Sequence, residues 1–524
     1  MPNTDVNLPD YHRPEVIKVL PNLKLMADLL GGTSVMHEEY QTYIRKWTDE
    51  DPNVYLIRAK GEDVFQGLER TLSAAIGMVF AKAPTLEWNG GEGSIEEHWE
   101  SIDAAGTKGH VFIKRFTDTS IRDGVGLLLI DHPSAPKDPE TKEPLEIDAE
   151  MEVQMGLRPT WASYPRANII SWRTDKINNK NLVTQVVLWE PTVEPDGVFG
   201  IKVVDRYRLL RVENGVAFWT LYEKVKDTGK IEDFLVKGSG YFRNKNGEIA
   251  GELPIAIAHT GRSDKVLEAT IPLLGVAHVN LSHWQMSSNL RFYCDLASFP
   301  QPTVIGELAA SQGPDGEVVE GSLKIGPMVT VQLDGENSDF KYTSPGTEAF
   351  DPLERRIEAK EKHMAILGMS FLASDTRQAE TAEAKRLDAT AENATLATSA
   401  QGIDDAVNKA FEWHAWYMGI EKEEAPAFAL NRDFESTAMD PPTMLAYVAA
   451  VEKTGLPVRL LLEAWQAGGR IPPETDLDEL EMEMMAAQAA KEEKERQERM
   501  ANIARLTEQP AGGNEEDEEF HDEE

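Results

Sequence analysis

Residues 270–294 read TIPLLGVAHVNLSHWQMSSNLRFYC, and their apolar residues recur with a helical period. The pattern predicts a helix from Thr270 to about Cys294, roughly 35 Å long at about 1.5 Å per residue. Pro272 fits the first turn of this helix, where its missing N–H leaves no hydrogen bond unmade. The first half is apolar on more than one face, so we expect it to pack against several neighbours, within the chain or between chains.

A second helix is predicted over residues 351–368. Asp351 can accept hydrogen bonds from the first free N–H groups, Pro352 suits the first helical position, and Glu354 completes a capping box. Between the two helices, residues 295–350 contain Pro and Gly residues at several predicted bends, which is typical of a small module of strands and turns. The sequence therefore predicts two helices that bracket a β-rich insert.

The N-terminal part of the chain is predicted to begin irregularly and then to become helical. Prolines interrupt residues 1–35, and we expect Pro14 and Pro21 to break regular structure there. Residues 36–82 carry apolar and aromatic residues at helical spacing.

Strands are predicted between these helices and residue 270. Residues 124–131, GVGLLLID, read as a short buried strand. Residues 160–260 are dense in β-branched and aromatic residues, and Asn214-Gly215 is the strongest short signal for a tight hairpin, because both residues tolerate positive φ. The combination of helical and β-rich regions predicts an α+β fold.

Downstream of residue 368 the pattern is again helical. Residues 381–419 are crowded with small side chains, which let another helix approach closely, and Gly402 is expected to allow a bend. The end of this helix is aromatic and is expected to anchor in a core. Further short helices and a charged helix from about Pro473 to Leu506 are predicted beyond it, before an acidic run that starts at Asn514.

The chain is strongly acidic. Its 53 Lys and Arg residues face 90 Asp and Glu residues, a net charge of −37, although 41% of its residues are hydrophobic and support an ordinary core. A protein that grips DNA phosphates normally presents basic residues, so most of this surface should repel DNA. Two interpretations stay open: the acidity serves solubility, or it lines a conduit in which DNA slides without sticking.

Motifs for enzymatic chemistry are missing from the sequence. There is no phosphate-binding loop of the Gly-x-x-x-x-Gly-Lys-Ser/Thr type and no Gly-x-Ser-x-Gly elbow. His278 and His283 are five residues apart and do not share a helix face as metal ligands should, and Asp131-His132 is interpreted as a strand end that turns at Pro133. We therefore expect no catalytic residues, no metal and no cofactor.

The cellular context is predicted from the cysteine content and the absence of apolar segments. Cys294 is the only cysteine, which excludes an intrachain disulfide and suits a reducing compartment. No signal peptide and no membrane-spanning segment is recognisable. We expect a protein that is made in the host cytoplasm and does not contact a membrane.

Two segments resemble the portal proteins of tailed bacteriophages. Residues 126–133, GLLLIDHP, resemble the "G…l(V/I)D-x-P" strand of one portal branch, and residues 164–173, YPRANIISWR, resemble its "Y-x-x-x-x-I-I-x-W-R" segment. Leu253-Pro254-Ile255 and Glu380-Thr381-Ala382 also match, whereas Ser282-His283-Trp284 stands where that branch often has a His-Tyr pair. The resemblance covers roughly residues 40–500, and the 164–173 segment is its most specific part.

The resemblance implies the portal architecture of wing, stem, clip and crown, assembled as a ring. On that plan the chain comprises an N-terminal arm and α/β wing (1–269), stem helix 1 (270–294), a clip (295–350), stem helix 2 (351–368), a tunnel loop (369–380), a long wing helix with a return segment (381–437), a helical crown (438–506) and an acidic disordered tail (507–524).

The resemblance also implies partners and a location. It implies a homo-oligomer of about twelve subunits at one vertex of the capsid in the virion, in contact with the major capsid or scaffold protein, the terminase large subunit, a head-completion or adaptor protein, and double-stranded DNA in its channel. In a closed ring, each subunit contacts its two neighbours through two different surface patches. The apolar 270–281 segment and the small-residue helix are the candidates for these patches.

Two alternative functions stay open at the level of the sequence. Another structural protein of the head–tail region, such as an adaptor or minor capsid protein, would share the acidity and the lack of catalytic motifs. A metal-dependent hydrolase would use some of the many carboxylates, and metal analysis of the purified protein distinguishes it.

A candidate constriction of the DNA channel lies in the predicted tunnel loop. Its residues are Phe371, Ser374, Asp375, Thr376, Arg377 and Gln378. Arg377 is the only basic residue of the 369–378 segment, so either it holds DNA transiently or it pairs with Asp375 or Glu380.

If Arg377 holds DNA, Arg377→Ala should lower the fraction of particles that retain their genome, because a cationic contact to phosphate is lost. The measurement is the ratio of filled to empty particles in a density gradient. Normal packaging and retention in the variant would show that Arg377 has no holding role.

Overall fold

The computed structural model describes residues 2–89, 95–103, 105–133, 155–177, 179–263, 265–298, 301–308, 311–312, 318–319, 333–343, 350–368, 382–432 and 475–507, with residues 459, 462 and 466. It has the mixed helix and sheet composition of an α+β protein. The chain divides into two compact units, Met1–Phe434 and Glu435–Glu524.

Five helices form the N-terminal part of the first unit. They are α1 (Pro14–Leu30), α2 (Gly32–Glu38), α3 (Tyr40–Tyr43), α4 (Pro52–Lys60) and α5 (Gly67–Val79). The expectation that Pro14 and Pro21 break regular structure was wrong. Pro14 occupies the start of α1, where proline is favoured, and Pro21 lies inside the helix. The helix tolerates Pro21 because its buried apolar face packs into the core, and this burial offsets the lost hydrogen bond.

A three-stranded sheet forms the centre of the core. Short elements precede it, namely β1 (Thr85–Glu87), α6 (Ile95–Trp99) and α7 (Gly109–Asp123), and the sheet contains β2 (Val125–Asp131), β3 (Thr160–Pro165) and β9 (Ile255–His259) in the antiparallel order β3-β2-β9. The predicted strand over residues 124–131 is confirmed as β2, which is buried from Val125 to Ile130. Gly124 ends α7 with a φ of 81°, so the chain reverses directly into this strand.

A five-stranded antiparallel sheet begins within the motif at residues 164–173. Its strands, in spatial order, are β4 (Ile169–Ile177), β5 (Lys180–Asp196), β6 (Gly200–Glu213), β7 (Val216–Lys224) and β8 (Phe234–Tyr241). The predicted hairpin at Asn214-Gly215 is confirmed: both residues have positive φ, 53° and 77°, as a tight two-residue turn requires.

The two predicted helices with a β-rich insert are also present. They are α8 (Leu274–Ser298) and α9 (Phe350–Leu367), which pack against each other. Between them β10 (Gln301–Leu308) pairs antiparallel with β13 (Leu333–Thr343), and β11 (Ser311–Gln312) pairs with β12 (Val318–Val319).

The predicted start of the first helix at Thr270 was wrong. Pro272 and Leu273 form a turn, and regular helix begins at Leu274. The N–H of Leu274 bonds to the carbonyl of Ile271, so the turn leads into the helix with its apolar residues already buried. Apolar periodicity therefore extended beyond the helix itself.

The long predicted helix is present as α10 (Ala382–Met418), and its aromatic end is buried in the core as expected. Its C-terminal half packs within the chain on β9 and β2 and also on the helices α7 and α5. A Cβ on Gly402 would lie 2.1 Å from the carbonyl oxygen of His259, and the Ser399 hydroxyl donates to the carbonyl of Thr260 at 2.7 Å. The missing side chain of Gly402 thus allows a close approach to β9.

The remaining described elements are β14 (Ala427–Ala429), which pairs with β1, and α11 (Leu477–Thr507) in the second unit. The predicted tunnel loop, most of the predicted crown before residue 475, and the tail from residue 508 lie outside the described residues. Of the helices in the described part of the chain, none combines the length and apolar character needed to cross a membrane.

Gly402→Ala should destabilise the first unit by about 1–3 kcal/mol, because the added methyl group meets backbone that cannot move aside without shifting β9. Urea unfolding monitored by tryptophan fluorescence measures the effect.

Gly77→Ala is the matched control, since Gly77 lies in α5 with open space around its Cβ position. This change should stabilise the protein by about 0.5–1 kcal/mol through helix propensity. An equal response of the two variants would contradict the close-approach role of Gly402.

Candidate functional site

The helix pair α8–α9 and its hairpin form the candidate functional element, and buried polar side chains attach α8 to the body of the first unit. Asn280 is almost fully buried; its side chain accepts from the N–H of Leu68 at 3.0 Å and donates to the carbonyl of Phe65 at 2.9 Å. The indole N–H of Trp284 donates to the carbonyl of Glu62 at 3.0 Å. These bonds satisfy backbone groups before and at the start of α5, so α8 and α5 are held in a fixed register.

A buried ion pair continues this attachment along α8. Arg58 in α4 donates from Nε to Glu50 at 2.8 Å and from Nη1 to Asn289 in α8 at 3.2 Å. Its guanidinium also lies 3.9 Å from the ring centroid of Trp47. The hydrogen bond from Arg58 holds the pKa of Glu50 below its ordinary value, so the pair stays charged. Removing either partner would leave a buried charge without its counterion, which is strongly destabilising.

The two histidines of α8 have different environments. His283 is buried, with its ring 5.1 Å from the ring of Phe65 and its Nε2 3.3 Å from a carboxylate oxygen of Glu361 in α9, whereas His278 is exposed. The described residues contain no group of three or more His, Cys, Asp or Glu side chains that could hold a metal ion. His283 therefore belongs to the packing between the helices.

The helix pair is electrically neutral although the chain carries −37 charges. Its basic residues are Arg291, Arg355, Arg356, Lys360 and Lys362, and its acidic residues are Asp295, Asp351, Glu354, Glu358 and Glu361. The excess acid lies elsewhere in the chain. Any acidic wall that repels DNA therefore cannot be formed by these two helices alone.

The segment at residues 164–173 joins the two sheets to the chain that leads into α8. Arg166 donates to the carbonyl of Asp123 at 3.1 Å and to that of Ala269 at 2.7 Å. Trp172 lies under the guanidinium of Arg13, 4.5 Å from its ring centroid, and its carbonyl accepts from Arg13 at 2.8 Å. The motif therefore connects α1, α7 and the segment before α8 through Arg166 and Trp172. Its residue spacing in the sequence did not predict these contacts.

The same segment supplies one member of a charge cluster between the sheets. Arg208 forms ion pairs with Glu190 at 2.7 Å and with Asp131 at 3.1 Å, and the hydroxyl of Tyr164 donates to Glu190 at 2.5 Å. Burial raises the pKa of Asp131 and of Tyr164. Arg208 engages both carboxylates, so the cluster fixes β2 to β6.

A buried chain of three rings connects α6, β3 and α10. The indole N–H of Trp161 donates to Nδ1 of His414 at 3.1 Å, and Nε2 of His414 lies 2.9 Å from Nδ1 of His98. The Trp161 bond requires the proton of neutral His414 to reside on Nε2, which then donates to His98. Burial lowers the pKa of His98 to about 4 and the pKa of His414 well below its ordinary value; the nearby charges of Arg158 and His132 act in the same direction.

The predicted constriction residues all lie outside the described part of the chain. These are Phe371, Ser374, Asp375, Thr376, Arg377 and Gln378. The segment that contains them connects the end of α9 at Leu367 with the start of α10 at Ala382. Their role stays a prediction.

Both predicted surfaces between copies have partners within the chain. The 270–281 segment contributes Ile271, Leu273, Val276, Ala277 and Val279 to the core, and the described small side chains of α10 face β9 and β2. The expectation that the 270–281 segment packs against neighbours is thus confirmed within the chain, and its buried positions are not available to a neighbouring copy.

One protein-family model matches this region. It is described as "Domain of unknown function (DUF4055)" and matches residues 272–418, which include α8, the hairpin, α9 and α10. No curated protein matches the chain.

Several solved structures are similar over much of the chain. A chain from the neck of an empty gene transfer agent particle, computed with C6 symmetry, is 13% identical with a TM-score of 0.31 and covers 82% of this chain and 95% of its own. A chain from the neck of the native particle, computed with C12 symmetry, is 12% identical with a TM-score of 0.32, covering 81% and 95%. A chain from the virion of the native particle is 13% identical with a TM-score of 0.32, covering 79% and 91%. TM-scores this low do not establish a shared fold.

The pair His98–His414 should make the first unit sensitive to acid. Both pKa values are depressed in the folded chain, so only the unfolded chain binds protons as the pH falls below about 6.5. The contribution of these two histidines to the free energy of unfolding is therefore fully present above that pH. It is lost as the pH falls towards 4, by about 1.4 kcal/mol per pH unit for each proton that only the unfolded chain binds. Urea midpoints measured between pH 7.5 and pH 4.5 give this slope.

The double variant His98→Gln/His414→Gln removes both titrating groups and should flatten the slope, even if it is less stable at neutral pH. His110→Gln, at an exposed position of α7, is the control and should keep the wild-type slope. A double variant that remains as acid-sensitive as the wild type would assign the effect to other groups.

Proposed function

We propose that this chain is the portal subunit of a tailed-phage-like particle. In this role about twelve copies form a ring at one vertex of the capsid, through which double-stranded DNA enters and leaves. The role is structural, with no catalytic residues, metal or cofactor. The terminase large subunit, the capsid or scaffold protein and a head-completion or adaptor protein are the proposed partners, and the virion is the proposed location.

The helix–hairpin–helix unit is the observation that carries the proposal. α8 is the next helix after β9, the antiparallel pair of β10 and β13 reverses the chain, and α9 packs along α8 and leads back towards α10. The buried contacts of Asn280, Trp284 and Arg58 hold α8 rigidly against the body as far as Asn289, and the rest of the unit extends beyond these contacts. We call the antiparallel helices α8 and α9, with the strands between them, the stalk. Stalks from several subunits arranged about one axis can enclose a channel.

The sequence resemblance supports the same role independently of the stalk. Its most specific segment, residues 164–173, fixes through Arg166 the carbonyl of Ala269, five residues before α8 begins. The segment that resembles the portal branch thus anchors the chain shortly before the stalk begins.

The charge distribution suggests how the channel would treat DNA. Neutral helices neither attract phosphates strongly nor repel them, so DNA that slides past them meets little electrostatic resistance. The excess acid elsewhere keeps the outer surfaces from binding DNA non-specifically. On this mechanism the stalk guides DNA passively, and any holding contact is supplied by the 371–378 segment.

The native mass of the purified full-length protein, with negative-stain images, tests the proposal. Twelve chains of 58.3 kDa each should give a particle of about 700 kDa with a central hole. A compact dimer or tetramer without a hole would contradict the portal role and return the hydrolase alternative to consideration, for which metal analysis of the same sample is the control.

A further inference from the structure

The long hairpin β5–β6 extends beyond its sheet as a two-stranded ribbon. β4 pairs with β5 only as far as Leu188, and β7 pairs with β6 only from Arg206 onward. Among the described residues, the segment 191–205, here called the ribbon, therefore forms strand pairs only within itself, over roughly 20 Å at about 3.3 Å per residue. Two-stranded ribbons are marginally stable in water on their own.

The two faces of the ribbon differ in chemistry. Val193 is directly opposite Val203, and Pro195 is opposite Ile201, so these four side chains share one face. The other face carries Glu194 opposite Lys202, which form an ion pair at 3.5 Å. The ribbon thus has one apolar face and one polar face, the pattern of a strand pair that is covered on one side.

The apolar face continues a surface that is buried elsewhere in the same sheet. Two-residue alternation places Val187 of β5 and Tyr207 of β6 on the face that carries Val193 and Val203. Val187 and Tyr207 are buried in a small cluster that Leu8 helps to cover. Beyond that cluster the same face is open to solvent.

The exposed area on the ribbon is large enough for a protein interface. The exposed fractions are 58% for Val193, 87% for Val198, 100% for Phe199, 74% for Ile201 and 65% for Val203. Val193, Ile201 and Val203 lie on the apolar face, and Val198 and Phe199 lie in the turn that joins the two strands. Together these five residues expose roughly 500–600 Å² of apolar surface, as large as the largest patch on a typical monomer and more than half of the ~800 Å² that each partner contributes to a standard interface.

We propose that the apolar face of the ribbon is an interface with a neighbouring copy of this chain. The inference rests on the proposed ring, which requires two different patches on each subunit. The chain provides a second set of exposed apolar side chains, Leu235, Val236 and Tyr241, on β8, which pairs with β7 and forms the edge of the five-stranded sheet. Copies with a charge of −37 each repel one another, so their association needs apolar contacts of this kind to offset the repulsion.

The double variant Phe199→Ser/Ile201→Ser tests the inference in the full-length chain. Both side chains are mostly exposed in the single chain, so the variant should fold with an unchanged melting temperature. Its self-association, measured by sedimentation velocity and native mass spectrometry over a concentration series, should be at least tenfold weaker than that of the wild type. Val6→Ser/Ile57→Ser replaces two similarly exposed residues outside the ribbon and should associate like the wild type.

Three results would overturn the inference. Rings that form equally well from the ribbon variant would leave the portal role intact but assign the interface to another surface. A large fall in the variant's melting temperature with unchanged assembly would show that the ribbon is covered within its own chain. A wild-type protein that stays monomeric at every concentration would exclude the ribbon as a contact between copies, while particle imaging would still decide the portal role.

Discussion

The docking of α8 on α4 and α5 through buried polar side chains is the constraint on which the stalk depends. Asn280 is central, because its amide satisfies two backbone groups that would otherwise be buried without partners. Such bonds specify one register, since sliding α8 by a single turn would break all of them at once. Arg58 fixes the register of the next turns of α8 in the same way, because it donates a hydrogen bond to Asn289. A rigid attachment of this kind is what a stalk needs if it is to keep a channel open.

Periodicity and turn chemistry predicted most of the elements in this chain. The buried strand β2, the Asn214-Gly215 hairpin, the helix pair with its β-rich insert and the long α10 helix all depend on local patterns that a sequence displays directly. The errors arose where distant residues decide the outcome. Pro21 stays within α1 because the core holds that helix, and Gly402 provides room for β9 and its carbonyl at His259.

The polar side chains that build the candidate site could not be recognised from the sequence for the same reason. Asn280, Arg166 and His414 each act on a partner more than 40 residues away, and nothing in their immediate neighbours marks them. The Tyr164–Arg173 resemblance identified the right segment but not its physical task. The ribbon was also missed, because alternation within β5 and β6 predicts one apolar face without indicating that the neighbouring strands end before the ribbon does.

Charge and apolar surface are distributed unevenly in this chain. In the proposed portal role, a neutral stalk would suit passive contact with DNA, excess acid elsewhere would limit non-specific binding, and the apolar ribbon would allow copies to associate despite their mutual repulsion. Cryo-electron microscopy of the purified assembly tests this account most directly. The account predicts a ring whose axial channel is lined by the α8–α9 pair of every subunit. An assembly without an axial opening, or one with its α8–α9 pairs on the outer surface, would contradict it.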